Sequence, residues 1–228
     1  MLDMVRGLKF DDQVICLLSG GGSALLVAPV AALTLKDKQA VTGALLRSGA
    51  SIGEINCVRK HLSAIKGGRL AAAAHPAAVL TLAISDVAGD DPAVIASGPT
   101  VADPTTFAEA RAVLRKYAIE PPATIAAHLA AAAEETPKAG DPRLARAETV
   151  IVARAGSALA AAARWAEEAG YQARLLGDEI EGDSATVARQ HARLALEACH
   201  AGQRLAILSG GETTVTIRGS GRGGPNAE

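Results

Sequence analysis

Short runs of aliphatic and β-branched residues alternate along this chain with alanine-rich stretches of helical spacing. That alternation is its strongest constraint, because neighbouring parallel strands need a crossover, usually a helix, between them. The expected fold class is therefore α/β, with strands at residues 14–18, 79–85, 149–153, 172–176, 205–208 and 213–218. Thr34 with Asp37 reads as a capping box, followed by an apolar face of Val41, Ala44 and Leu45 and a stop at Gly49. Asp103 is expected to cap a helix reaching Tyr117, Gly170 to end one over 156–169, and Asp183 or Ser184 to open one closing near Gly202. Residues 134–146 read as a long connection inside one domain. From residue 205 the pattern turns to strand, glycine turn and strand, which is hairpin-like.

The 228 residues suffice for one large domain, or one domain and part of another. Lys and Arg number 23 against 24 Asp and Glu, so no bulk field draws the chain to nucleic acid or an anionic membrane. Cys16, Cys57 and Cys199 are far apart and odd in number, which argues against a disulfide framework or a zinc cluster. With no apolar run of membrane-spanning length and no signal-peptide pattern at the start, a soluble, cytoplasmic protein is expected.

Four segments can carry chemistry. In LLSGGGSALL, residues 17–26, Gly20, Gly21 and Gly22 between Ser19 and Ser23 form either a tight turn or a nest of N–H groups for an anion. The second, INCVRKHLSAIKGGRL, sets Arg59, Lys60, His61, Lys66 and Arg69 within eleven residues beside Asn56. No acidic residue lies between Glu54 and Asp86, so this is either a solvated helix face or a group of cations for a phosphate or carboxylate. His61 is read as packed beside the basic helix rather than as a base. The third, TLAISDVAGDDP with SGPT following, puts Asp86 at the carboxyl end of a strand, where open α/β sheets bind ligands. Asp86 and Asp90 are oxygen donors of the kind Mg²⁺ takes, whereas Asp91 reads as the cap of a helix beginning at Pro92. In the fourth, residues 208–228, Arg218 and Arg222 sit in a glycine-rich loop that is either a phosphate clamp or a tail.

Together SGGGSALL, NxVRKHLSxIKGGRLA, SDVxGDDPxxIASGPTxxDPTT and LSGGETTVTxxGxGRGG, in this order, resemble the glycerate 2-kinases, whose sequences are often labelled hydroxypyruvate reductase. The resemblance implies a Rossmann-like sheet with flanking helices over residues 1–202, then the start of a smaller C-terminal α/β domain of MOFRL type over 203–228. It implies transfer of the γ-phosphoryl group of ATP to the 2-hydroxyl of D-glycerate, with Mg²⁺. Lys66, Arg59, Asp86 and Arg222 are the catalytic residues so implied, and Asp86 and Asp90 the metal ligands. Ser19, Gly20, Gly21, Gly22, Ser23, Asn56, Lys60, Gly210, Gly211 and Glu212 are the implied binding residues. Which anion the triple glycine holds stays open.

Members of that family are longer, with a lysine-bearing segment before the first motif and more chain after the last. Pro225 stands where the motif GRGGRN has its second arginine. An incomplete member is therefore expected, with ATP and D-glycerate as partners and a possible homo-oligomer formed through exposed apolar surface. The competing readings are a nicotinamide-dependent hydroxypyruvate reductase, against which the absence of GxGxxG stands, and a nucleotide- or anion-binding module.

Overall fold

The computed structural model describes residues 1–215, so Arg218, Arg222 and Pro225 lie outside the described residues. In chain order the elements are α1 (Leu2–Val5), β1 (Gln13–Leu18), α2 (Gly22–Leu25), α3 (Leu35–Arg47), α4 (Ile52–His61), α5 (Arg69–Ala74) and β2 (Ala78–Ile84). After two 3₁₀ turns come α6 (Phe107–Lys116), α7 (Ala123–Ala131), β3 (Ala147–Ala153), α8 (Ala155–Glu168), β4 (Gln172–Leu175), α9 (Ser184–His200) and β5 (Leu205–Leu208). The chain groups into two compact units, 1–84 with 90–152, and 85–89 with the residues from 153 onward. The change of pattern read near Gly202 falls inside the second of these.

In the first unit β2 is the central strand of the order β1-β2-β3, and β1 runs parallel to it from Gln13 opposite Ala78 to Leu18 opposite Ala83. One face of this sheet packs on Val5, Ile65, Leu70, Ala71 and Ala74. The other leaves Ile15 and Leu17 of β1 and Val150 and Val152 of β3 exposed. A second core lies among helices, where Val41 and Leu45 of α3 meet Val58 of α4, Phe107 and Leu114 of α6, and Ile125 and Leu129 of α7. Each of these side chains is at least nine-tenths buried, worth about 1.5–3 kcal/mol apiece.

The expected capping box of Thr34 with Asp37 is present, and Ser51 with Glu54 and Thr106 with Glu109 repeat it for α4 and α6. Asp103, expected as the cap of the helix reaching Tyr117, does other work. It is fully buried, and its carboxylate takes hydrogen bonds from Lys60 at 3.2 Å, from the Thr105 N–H and hydroxyl, and from the Thr136 hydroxyl. Burial alone would raise its pKa, but Lys60 and Thr105 hold it below the ordinary carboxylate value.

In the second unit β4 and β5 pair in parallel, and Gly211 and Thr214 continue with parallel bridges to Ile180 and Asp183. This corrects the hairpin reading of the chain after residue 205. Turn glycines signal a reversal, but here the chain continues alongside the segment between β4 and α9. The Asp183 side chain caps α9 by accepting from the Thr186 N–H. No described helix is long and apolar enough to cross a membrane.

Removing one partner of a buried ion pair strands the other charge. The substitution Asp103→Ala is expected to lower stability by about 3–5 kcal/mol in urea unfolding. The double change Lys60→Met with Asp103→Leu should recover most of that loss.

Candidate anion-binding site

The five basic groups of residues 59–69 do not share one face. Lys60 and His61, at the end of α4, turn into the first unit, where Lys60 is 5% and His61 0% exposed. Lys60 meets Asp103, so the expectation that it faces a ligand is corrected. His61 contacts the Cys57 carbonyl through Nδ1 at 2.7 Å and Glu135 through Nε2 at 2.8 Å, with its ring edge-on to Phe107. Both ring nitrogens face acceptors, so His61 is a packing and hydrogen-bonding residue, as read from the sequence. Burial would raise the Glu135 pKa, yet N–H groups of Phe107 and Thr136 and the His61 ring hold it down at about 2. Arg69 donates to the Glu134 carbonyl at 2.7 Å and lies 3.7 Å from its carboxylate. The cations that looked unneutralised in the sequence are thus matched by acids 43 to 74 residues further on.

Arg59 and Lys66 remain, and they converge on one atom. The Ser23 carbonyl oxygen accepts from Arg59 Nη2 at 2.9 Å and from Lys66 Nζ at 2.7 Å. Lys66 is 1% exposed and also reaches the Ser23 hydroxyl at 3.3 Å and the Ala96 carbonyl at 3.4 Å. The Ser23 hydroxyl is 2.6 Å from that of Ser97, and Asn56 Oδ1 accepts from both Ser97 and Arg59 at 3.4 Å. Three of the sequence motifs therefore meet here: SGGGS, the basic segment, and the SGPT that begins at Ser97. Gly21 takes a left-handed φ of 77°, and a Cβ on Gly22 would lie 3.2 Å from that of Ala96. The glycines let the backbone turn tightly against Ala96 and so deliver Ser23 to the cations. The Gly22 N–H goes to the Ser19 carbonyl, while Ser19, Gly20 and Gly21 are exposed.

Lys38, which the sequence reading did not single out, lines the same cavity of about 340 Å³ with Ser23, Arg59 and Lys66. It is 7% exposed. A lysine three residues before Val41 and seven before Leu45, on the buried stripe of α3, was the signal available in the sequence. Among the described residues no carboxylate pairs with Lys38, Arg59 or Lys66. Burial and the charges of Arg59 and Lys38 push Lys66 down to about 7. Burial and Arg59 push Lys38 down to about 8, and burial lowers Arg59. Buried cations that repel one another and lack a counter-ion make an arrangement suited to an anion.

The remaining expected residues are not gathered here. Asp86, exposed just after β2, belongs to the second unit, and Asp90, with φ of 54°, to the first. Among the described residues no group of three or more His, Cys, Asp or Glu side chains is arranged to hold a metal. Asp91 caps as expected, accepting from the Ala93 N–H at 2.8 Å, although the chain beyond Pro92 turns into a 3₁₀ segment rather than an α-helix. Gly210, Gly211 and Glu212 line a second-unit cavity of about 360 Å³ with Ser209. Gly211 sits so close to Ile180 that a Cβ would fall 2.2 Å from its carbonyl oxygen, so this glycine is required by the fold itself.

Residues 1–130 match the family described as a domain of unknown function, DUF4147. The chain belongs to this family. It is 53% identical, over 98% of its own length and 52% of the relative's, to an Agrobacterium vitis protein provisionally named hydroxypyruvate reductase. It is 39% identical to the D-glycerate 2-kinase of Thermotoga maritima, over 100% of this chain and 54% of that one. The crystal structure of a Thermotoga maritima glycerate kinase superposes with a TM-score of 0.79 at 38% identity, covering 99% of this chain and 54% of that chain. This DUF4147 chain thus spans about half the length of these relatives. The expected resemblance to glycerate 2-kinases and the α/β fold are both shown.

A lysine held at about 7 when folded and near 10.4 when unfolded leaves the unfolded state with more bound protons above pH 7, so its contribution makes stability rise with pH there. The gain in urea midpoint from pH 6.5 to 8.5, in buffer free of multivalent anions, is expected to be larger for the unsubstituted chain than for Lys66→Met.

Proposed function

We propose that this chain supplies the anion-binding part of a kinase that transfers the γ-phosphoryl group of ATP to the 2-hydroxyl of D-glycerate. The observation that carries the reading is the convergence of Arg59 and Lys66 on the Ser23 carbonyl with no carboxylate partner among the described residues. The relative named D-glycerate 2-kinase, similar over the whole chain, supports the substrate.

Phosphoryl transfer needs positioning and neutralisation of charge more than covalent chemistry from the protein. Arg59 and Lys66 supply positive charge that acts at short range on a ligand's phosphate or carboxylate. Their shared acceptor holds them in place, and the Ser23 hydroxyl, fixed by Ser97, orients a ligand oxygen. Asn56 fixes the Arg59 guanidinium through Nη1. Exposed Asp86 is a hard oxygen donor suited to Mg²⁺, which takes one or two carboxylates and the substrate's phosphates. Asp86 would hold that ion, which would neutralise nucleotide charge. Gly210, Gly211 and Glu212, which line the second unit's own cavity, are the residues proposed to meet the nucleotide.

The complete gene product, given ATP, Mg²⁺ and D-glycerate, is expected to form ADP only when D-glycerate is present. Lys66→Met should reduce kcat/KM by about 10²–10³-fold, as removal of one preorganised charge does elsewhere. Oxidation of NADH dependent on hydroxypyruvate, with no ADP formed, would instead support the name carried by the Agrobacterium relative.

A further inference from the structure

The fold does not account for Lys38. Its position on α3 belongs to the buried stripe that continues through Val41 and Leu45, where an aliphatic side chain would pack. The lysine is only 7% exposed, yet no hydrogen bond or ion pair of its ammonium is found among the described residues. Other buried lysines of this unit behave differently. Lys60 has Asp103, and Lys66 has the oxygens of Ser23 and Ala96. Lys38 has only the cavity it lines.

We infer that Lys38, Arg59 and Lys66 together bind a phosphoryl group, the doubly charged anion, in preference to a lone carboxylate. The inference rests on the proposed anion site and names the class of anion. The charge count decides it. A monocarboxylate matches one cation and leaves the others facing each other in a cavity whose further lining, Val27, Leu35, Leu46, Gln39 and Thr42 among it, carries no negative charge. A phosphomonoester brings about two negative charges and three acceptor oxygens near neutral pH, so Lys38 and Arg59 can both donate to it while Lys66, whose ammonium already meets three protein oxygens, adds its charge. The donors suit it: Lys38 has all its ammonium hydrogens unused, and Arg59 presents a planar fork of which two nitrogens are anchored on Asn56 and Ser23. Lys38 reaches the cavity from α3 and Arg59 from α4.

Calorimetric titration of the full chain at pH 7.5 with inorganic phosphate, 2-phosphoglycerate and D-glycerate tests this. Both phosphoryl ligands are expected to bind more tightly than D-glycerate. Lys38→Met should weaken them about tenfold or more, the scale of one charge-assisted bond, and change D-glycerate affinity far less. Lys38→Arg should keep most of the affinity, and urea midpoints would show that Lys38→Met stays folded. Unchanged phosphate and 2-phosphoglycerate affinity in a folded Lys38→Met, equal losses for D-glycerate, or no phosphoryl binding at all would overturn the assignment. Kinase turnover is read separately: phosphate binding that needs Lys38 in a protein forming no ADP removes the kinase and leaves the phosphoryl site. ADP formation with phosphate affinity indifferent to Lys38 does the reverse.

Discussion

A lysine cannot be left charged and unpaired in a protein interior without a cost of several kcal/mol, and Lys60 finds its partner in Asp103, 43 residues away. That pairing fixes which way α4 faces. With Lys60 and His61 turned toward α6 and the Glu135 segment, the helical step of about 100° per residue carries Arg59 round to the Ser23 side. The residues after α4 then return Lys66 to the same oxygen. The proposed anion site is in this sense a by-product of how the unit buries its other cations. Asp103 also backs the turn at Gly67, where a Cβ would lie 3.2 Å from its carboxylate.

The site is held by unusual backbone on the opposing side. Ala96 and Ser97 have φ of 51° and 63°, a region that non-glycine residues enter at a cost of about 1–3 kcal/mol each. Lys66 binds the Ala96 carbonyl, the Gly67 N–H binds the Ser97 carbonyl at 3.0 Å, and Ser23 engages the Ser97 hydroxyl. The surrounding bonds over-determine the strained turn, and the turn in turn aims the Ser97 hydroxyl at Ser23 and Asn56. Strain concentrated where cations gather without counter-ions is the pattern of a site preorganised for a ligand.

Much of the architecture was legible beforehand. The first five strands lie within one or two residues of their expected ends, because aliphatic runs bounded by turn residues leave few alternatives. The box at Thr34 was readable because both of its members lie within four residues. The hairpin after residue 205 was misread, since glycine marks freedom to turn and not the direction taken. Asp103 was misread as a cap because a local use was available to it and its actual partners, Lys60 and Thr136, are distant in the chain. Lys38 passed unnoticed as one more lysine on a helix.

The sequence by itself determined the α/β class, the order of the elements, and the motifs that mark this chain as a relative of glycerate kinases, since periodicity, caps and motif order are local properties of the chain. Only the tertiary structure decided which basic residues are spoken for and which are available. Charge neutralisation acts through space over a few ångströms and joined Lys60, His61 and Arg69 to acids far along the chain, while the apolar packing of α3 on α4 set Lys38 beside Arg59 and Lys66 against their mutual repulsion.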